Sequence, residues 1–164
     1  MANTLRKTKV NHYDLVSFDL TFPSVKALNK KQVLQDLSKQ VANFIGTDQQ
    51  WLLDNLLEQE KESSSAIGRG ISIPHMRLPR LTRPFIVFSK LDQMIEFDAI
   101  DSDPVDIVCL VLSPEHEGTK HLQRLSEITR LFQEDHFCQK IREAETREEI
   151  NDALYDIKMR RYVA

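Results

Sequence analysis

A single α/β domain, with a mixed β-sheet flanked by helices on both faces, is the fold predicted for this 164-residue sequence. Two β-rich runs, "PFIVFSKL" and "PVDIVCLVL", each follow a proline, and the second is apolar on both faces, as a central buried strand would be. Apolar residues recur at helical spacing before those runs and again over the whole final third. With 41% hydrophobic residues and only 4 glycines and 6 prolines, the chain suits one sizeable core.

Residues 1–13 read as a polar N-terminal tail and residues 14–164 as the domain. In "DLVSFDLTF" a loose alternation involving Leu15 or Val16 marks a first strand, closed by Pro23. Asn29 offers a helix cap. Val33, Leu34, Leu37, Val41 and Phe44 then share one helical face, and Gly46 ends the helix. Thr47 and Gln50 form a capping box for a second helix, whose apolar face is Leu52, Leu53, Leu56 and Leu57. "GRGISIPHMR" follows. Its glycine pair permits close backbone approach, Ile71 and Ile73 alternate as in a half-buried strand, and Pro74 stops the ladder, so that His75 stands at a strand's exit. The last third, "TKHLQRLSEITRLF", "DHFCQKIREA" and "TREEINDALYDI", reads as three helices with caps at Thr119, Asp135 and Thr146. Glu149 stands three residues after Thr146.

A formal charge of −3 and a pI near 6.0 carry no global basic footprint, so nucleic acid is not expected as a partner. No run approaches the roughly 18 apolar residues of a membrane span, and no apolar segment follows the basic residues of "MANTLRKTKVNHYD". A cytoplasmic protein without membrane insertion is expected. Cys109 and Cys138 lie in apolar and amphipathic runs and read as reduced, buried or half-buried thiols.

Two stretches carry candidate chemistry. Arg69, Arg77, Arg80 and Arg83 gather around His75, either as a solvated basic loop or as a receptor for phosphate or an acidic partner. Gly118 and Thr119 open a helix with His121 in its first turn, where the backbone N–H groups and the positive end of the helix dipole favour an anion. A neutral imidazole is a nucleophile that can take a phosphoryl group on one nitrogen while the other bonds to protein. A second imidazole can bond the phosphoryl oxygens, orient the first ring and add positive charge. His116, His121 and His136 with Glu115 or Glu117 match no strong zinc spacing, so no metal site is expected. The serines of "ESSS" lack a nucleophile elbow.

Taken in order, "IGRGISIPH", "FDAIDSDPVDIVCLVLSP" and "HLQRLSEITRLF" resemble the enzyme IIA domain of the bacterial phosphotransferase system, of the fructose and mannitol type and most of all its nitrogen-regulatory branch. The resemblance runs from about residue 15 to 158. It implies a phosphotransferase with a phosphohistidine at His75, a phosphate-stabilising His121, and a phosphocarrier donor, HPr or NPr. It also implies regulatory target proteins such as kinases or transporters, and no cofactor. Arg69, Arg77, Ser65 and Ser126 are then the candidates for phosphate binding or docking.

The sequence departs from the family pattern as well. Gln59 stands at the position of an arginine, and Ser63, Ser64, Ser65 and Ala66 replace a glycine-flanked "GST" segment. Losing a forked cation removes a charge-assisted contact of about 1.5–3 kcal/mol. Met76 replaces a small residue after the histidine and is expected to narrow the docking surface. The alternative is therefore a noncatalytic regulatory binding module on the same fold, its phosphotransfer weakened by Gln59.

Overall fold

The computed structural model describes residues 16–163. The tail expected over residues 1–13, and Leu15, lie outside the described residues. The chain forms β1 (Leu20–Val25), α1 (Lys30–Ile45), α2 (Gln49–Glu62), β2 (Ala66–Gly68), β3 (Ile71–Ser72), β4 (His75–Leu78), β5 (Phe85–Ile95) and β6 (Val105–Pro114). A 3-10 turn (Glu115–Glu117) leads to α3 (Thr119–Phe132), α4 (Asp135–Glu143) and α5 (Arg147–Val163).

The strands make one mixed sheet in the order β1-β5-β6-β3-β2, with β4 also pairing β6. β1 runs parallel to β5, β5 antiparallel to β6, and both β3 and β4 parallel to β6. β6 is the central strand because it is apolar on both faces. Val108, Leu110 and Leu112 point into the core beneath α1 and α2, while Ile107, Cys109 and Val111 point into the core beneath α3, α4 and α5. Helices therefore cover both faces, as the sequence predicts.

Local chemistry explains the element ends. Asn29 caps α1 by accepting a hydrogen bond from the Gln32 amide at 2.9 Å, and Gly46 closes that helix with φ +67°. The Thr146 hydroxyl accepts from the Glu149 amide at 3.2 Å at the start of α5. Asp48, not Thr47, is the N-cap of α2, and its side chain makes no capping bond. Likewise Gly118 caps α3 and Glu134 caps α4, leaving Thr119 and Asp135 as first helical residues. Phe44 is exposed although it falls on the apolar spacing of α1, and Ser38 and Ala42 are buried in that helix instead.

Proline does not end either strand where the sequence placed a stop. Pro23 lies inside β1, at the sheet edge, where a missing N–H is tolerated. Pro74 separates β3 from β4, yet its carbonyl accepts from the Val111 amide at 2.9 Å, so the chain stays alongside β6. His75 accordingly opens β4 opposite Val111, rather than standing at a strand's exit. Arg69 and Gly70, at φ +59° and +82°, form the two-residue turn that joins antiparallel β2 and β3. Two left-handed residues in succession are what a type I′ hairpin turn requires. A side chain at Gly70 would also meet Arg142 Nη2 at 2.8 Å, so the GRG motif serves the hairpin.

Both thiols are buried. Desolvation raises the Cys109 and Cys138 thiols above their usual range, and Cys138 Sγ donates to the Phe132 carbonyl. Among the described residues no helix is long and apolar enough to cross a membrane.

Candidate active site

Strand alternation places the first residues of the site. Met76 and Leu78 turn into the core under α1 and α2, so His75 and Arg77 take the opposite face of β4, the face on which α3 begins. Met76 is 6% exposed and so cannot narrow any docking surface. His121, in the first turn of α3, meets His75 with ring centroids 5.5 Å apart.

The His75 Nδ1 lies 2.9 Å from the Ile73 carbonyl oxygen. A carbonyl can only accept, so Nδ1 carries the proton in the neutral ring and Nε2 keeps its lone pair. The imidazole also lines a cleft of about 130 Å³ with Gln59, Glu60, Glu62, Ser63, Ser64 and Ser65. Several waters of roughly 30 Å³ each would fit that volume.

On the other side of His75, the site rests on buried polar groups. His121 Nδ1 is 2.6 Å from Ser113 Oγ, which accepts a hydrogen bond from Arg124 Nη1 at 2.7 Å. Arg124 Nη2 donates to Glu117 Oε2 at 2.7 Å. Ser113, His121 and Arg124 are all buried, and Arg124 Nε has no partner among the described residues. Burial pushes the His121 imidazole down to about 4 from its usual 6.5, helped by the His75, Arg77 and Arg124 charges and opposed by Glu117. His121 is thus a neutral ring at pH 7, not the source of positive charge expected from the sequence.

A pH dependence follows. Unfolded, His121 titrates near 6.5, so between pH 6.5 and 4 the unfolded chain binds a proton that the folded protein does not. Stability from this group is full above pH 6.5 and falls as the pH drops toward 4, by on the order of 2–3 kcal/mol at the acid end. Urea unfolding at pH 7 and pH 4.5 should show that loss, and His121→Gln should reduce it.

The remaining candidates are dispersed. Arg69 pairs with Asp135 and donates to the Gln133 carbonyl beyond the C-terminal end of α3. The 11 residues from His121 to Phe132 place that end about 17 Å away, so Arg69 takes no part in the His75 site. Arg83 pairs with Asp19, and Arg80 sits beside Trp51 and the α1–α2 turn. Of the four arginines, Arg77 shares the His75 face of β4, and its charge helps to lower the His121 imidazole. Ser65 lines the cleft, but its hydroxyl is bonded to Ser72 Oγ at 2.6 Å and its amide donates to Glu60. Ser126 is exposed, and five residues along a helix turn it about 140° away from His121. His136 meets Arg160 on α5, and His116 is exposed.

Sequence reasoning missed Ser113 and Arg124, and weighed Glu117 only as a metal ligand. The signal for Arg124 was its spacing, since a residue three after His121 shares its helix face. Ser113 lies two residues after Val111 on the same face of β6 but ends an apolar run, so nothing marked it as functional.

Comparison with known proteins identifies the family and the fold. Residues 14–157 match the family model described as the phosphoenolpyruvate-dependent sugar phosphotransferase system, EIIA 2. The chain is 37% identical over 141 residues to a nitrogen regulatory protein of Bradyrhizobium diazoefficiens, covering 86% of this chain and 92% of the relative. It is 31% identical over 154 residues to the nitrogen regulatory protein of Escherichia coli, covering 93% and 94%. The nitrogen regulatory protein IIA-Ntr of Neisseria meningitidis superposes with a TM-score of 0.80 at 21% identity, covering 87% of this chain and 97% of that one. The mannitol IIA of Escherichia coli gives 0.69 at 18%, covering 82% and 94%. Shared sequence along almost the whole length, together with a shared sheet and helix arrangement, places this chain in the EIIA 2 family of the phosphotransferase system, among relatives that include the nitrogen regulatory IIA proteins.

Proposed function

We propose that this protein is a histidine phosphocarrier of a phosphotransferase relay, in which His75 Nε2 accepts a phosphoryl group from a phosphohistidine donor of the HPr or NPr kind and the phosphorylated state is read by regulatory partners in the cytoplasm. The observation that supports this most is the Nδ1 bond of His75 to the Ile73 carbonyl, which leaves Nε2 as the nucleophile. As the Nε2–P bond forms, the donor's N–P bond breaks and its electron pair returns to the donor imidazole. Nδ1 keeps its proton on the carbonyl, so the phosphorylated ring bears a positive charge beside the new dianion. His121 offers a neutral N–H donor to the phosphoryl oxygens, and Arg77 adds a cation on the same side of the sheet. A phosphoryl group adds nearly two negative charges and three strong acceptors, enough to change partner affinity without refolding the domain.

The test is incubation with phosphoenolpyruvate and a reconstituted relay ending in HPr or NPr, with acid-labile phosphate followed by intact mass. One phosphate on the protein and none on His75→Ala supports the carrier. No phosphate from either donor favours the second reading, a noncatalytic binding module, which Gln59 in the His75 cleft supports. Gln59→Arg provides a further check. A guanidinium in that cleft is expected to accelerate phosphate acceptance roughly tenfold or more, the equivalent of one charge-assisted hydrogen bond. Timed quenching of the relay measures it.

A further inference from the structure

Resting on the phosphocarrier reading above, we infer that Ser113 and Arg124 are positioning residues: Ser113 holds His121 as its Nε2–H tautomer, and Arg124, acting through Ser113, polarises that N–H toward the phosphoryl group, supplying from α3 the positive end that Gln59 does not supply from α2.

Ser113 is fully buried, and among the described residues its Oγ has two hydrogen-bond partners, Arg124 Nη1 at 2.7 Å and His121 Nδ1 at 2.6 Å. A guanidinium has no acceptor, so the Arg124 bond takes a lone pair of Ser113. The serine proton must go elsewhere, and His121 Nδ1 is the acceptor within reach. Were Nδ1 protonated instead, the hydroxyl proton would be buried without an acceptor, an arrangement that folded proteins avoid. Nδ1 therefore accepts, and the ring's own proton sits on Nε2.

The chain Arg124–Ser113–His121 has one direction. Each donor sharpens the next, because a hydroxyl that accepts from a cation is a stronger donor, and an imidazole that accepts at one nitrogen is oriented at the other. Arg124 is held in turn by Glu117, in the 3-10 turn that leads into α3. His121 and Arg124 head the buried stripe of α3 that continues through Ile128 and Leu131, which fixes their common direction. The retention of a buried guanidinium with an unpartnered Nε is consistent with a role beyond packing, since such groups are costly to bury.

The test reads the ring itself. Long-range 1H–15N spectra of the unphosphorylated protein at pH 7 should show His121 with a protonated Nε2 and a bare Nδ1. Ser113→Ala should change this to a tautomer mixture. Arg124→Met should keep the tautomer, because the serine still donates, but slow phosphate acceptance at His75 roughly tenfold, as is usual when a group supporting a site residue is removed. Arg124→Lys should restore most of that rate. A wild-type His121 protonated on Nδ1, a tautomer indifferent to Ser113→Ala, or an unchanged rate in Arg124→Met would each overturn the inference. The spectra need no phosphate donor, so absence of phosphotransfer would defeat the functional reading while leaving the tautomer assignment separately testable.

Discussion

His121→Ala should accept phosphate at His75 roughly 10²- to 10³-fold more slowly than the unaltered protein, the loss that follows removal of one preorganised donor to a developing anion. The expectation comes from geometry: the two rings are 5.5 Å apart, and His121 is neutral, so it acts through its N–H rather than through charge. The same relay with timed quenching gives the rate. A thermal unfolding curve alongside it separates lost chemistry from lost folding, because the substitution also leaves the Ser113 hydroxyl without its acceptor. Variants that unfold at the same temperature but differ a hundredfold in rate would place the effect at the site.

The second large effect concerns the scaffold. Phe88 is fully buried on β5, paired between Thr21 of β1 and Cys109 of β6. Its ring packs on Phe18 at 5.0 Å and on Phe132 of α3 at 6.4 Å. Phe88→Ala should lower the unfolding free energy by about 3–5 kcal/mol, combining lost burial with the cavity left behind. That is a large share of the roughly 5–15 kcal/mol that holds a domain of this size together. Phe44→Ala, at an exposed position, should change it by less than about 1 kcal/mol. Urea titrations of the two variants compare them directly. Because Phe88 touches α3 through Phe132, the same core that stabilises the sheet also fixes the helix that carries His121 and Arg124.

What the sequence made legible is what alternation and spacing report. β6 was readable because Ile107 to Leu112 must satisfy two cores at once, and α1 because Asn29 and Gly46 bracket an apolar face. Phe44 misled because helical spacing cannot show how far the covering sheet extends. Pro74 misled because a missing N–H was read as an end of pairing, whereas its carbonyl keeps the chain on β6. The histidine pair was brought together by chemistry and by family resemblance rather than by pattern, since 46 positions separate His75 from His121. The arginines show the converse. Arg69 and Arg77 are near neighbours in sequence, yet the hairpin turn sends Arg69 to Asp135 while strand alternation sends Arg77 toward His121. Ser113 was invisible because it ends an apolar run, and Arg124 was marked only by its three-residue spacing from His121.

The function proposed for this site depends on His75 Nε2 taking the phosphate. The direct measurement is to phosphorylate the 15N-histidine-labelled protein through the relay and record its ring nitrogens and their coupling to phosphorus. Phosphorus should couple to His75 Nε2, with Nδ1 still protonated against the Ile73 carbonyl and His121 unmodified. Phosphorus on His75 Nδ1, phosphorus on His121, or a protein that takes no phosphate from either donor would contradict it.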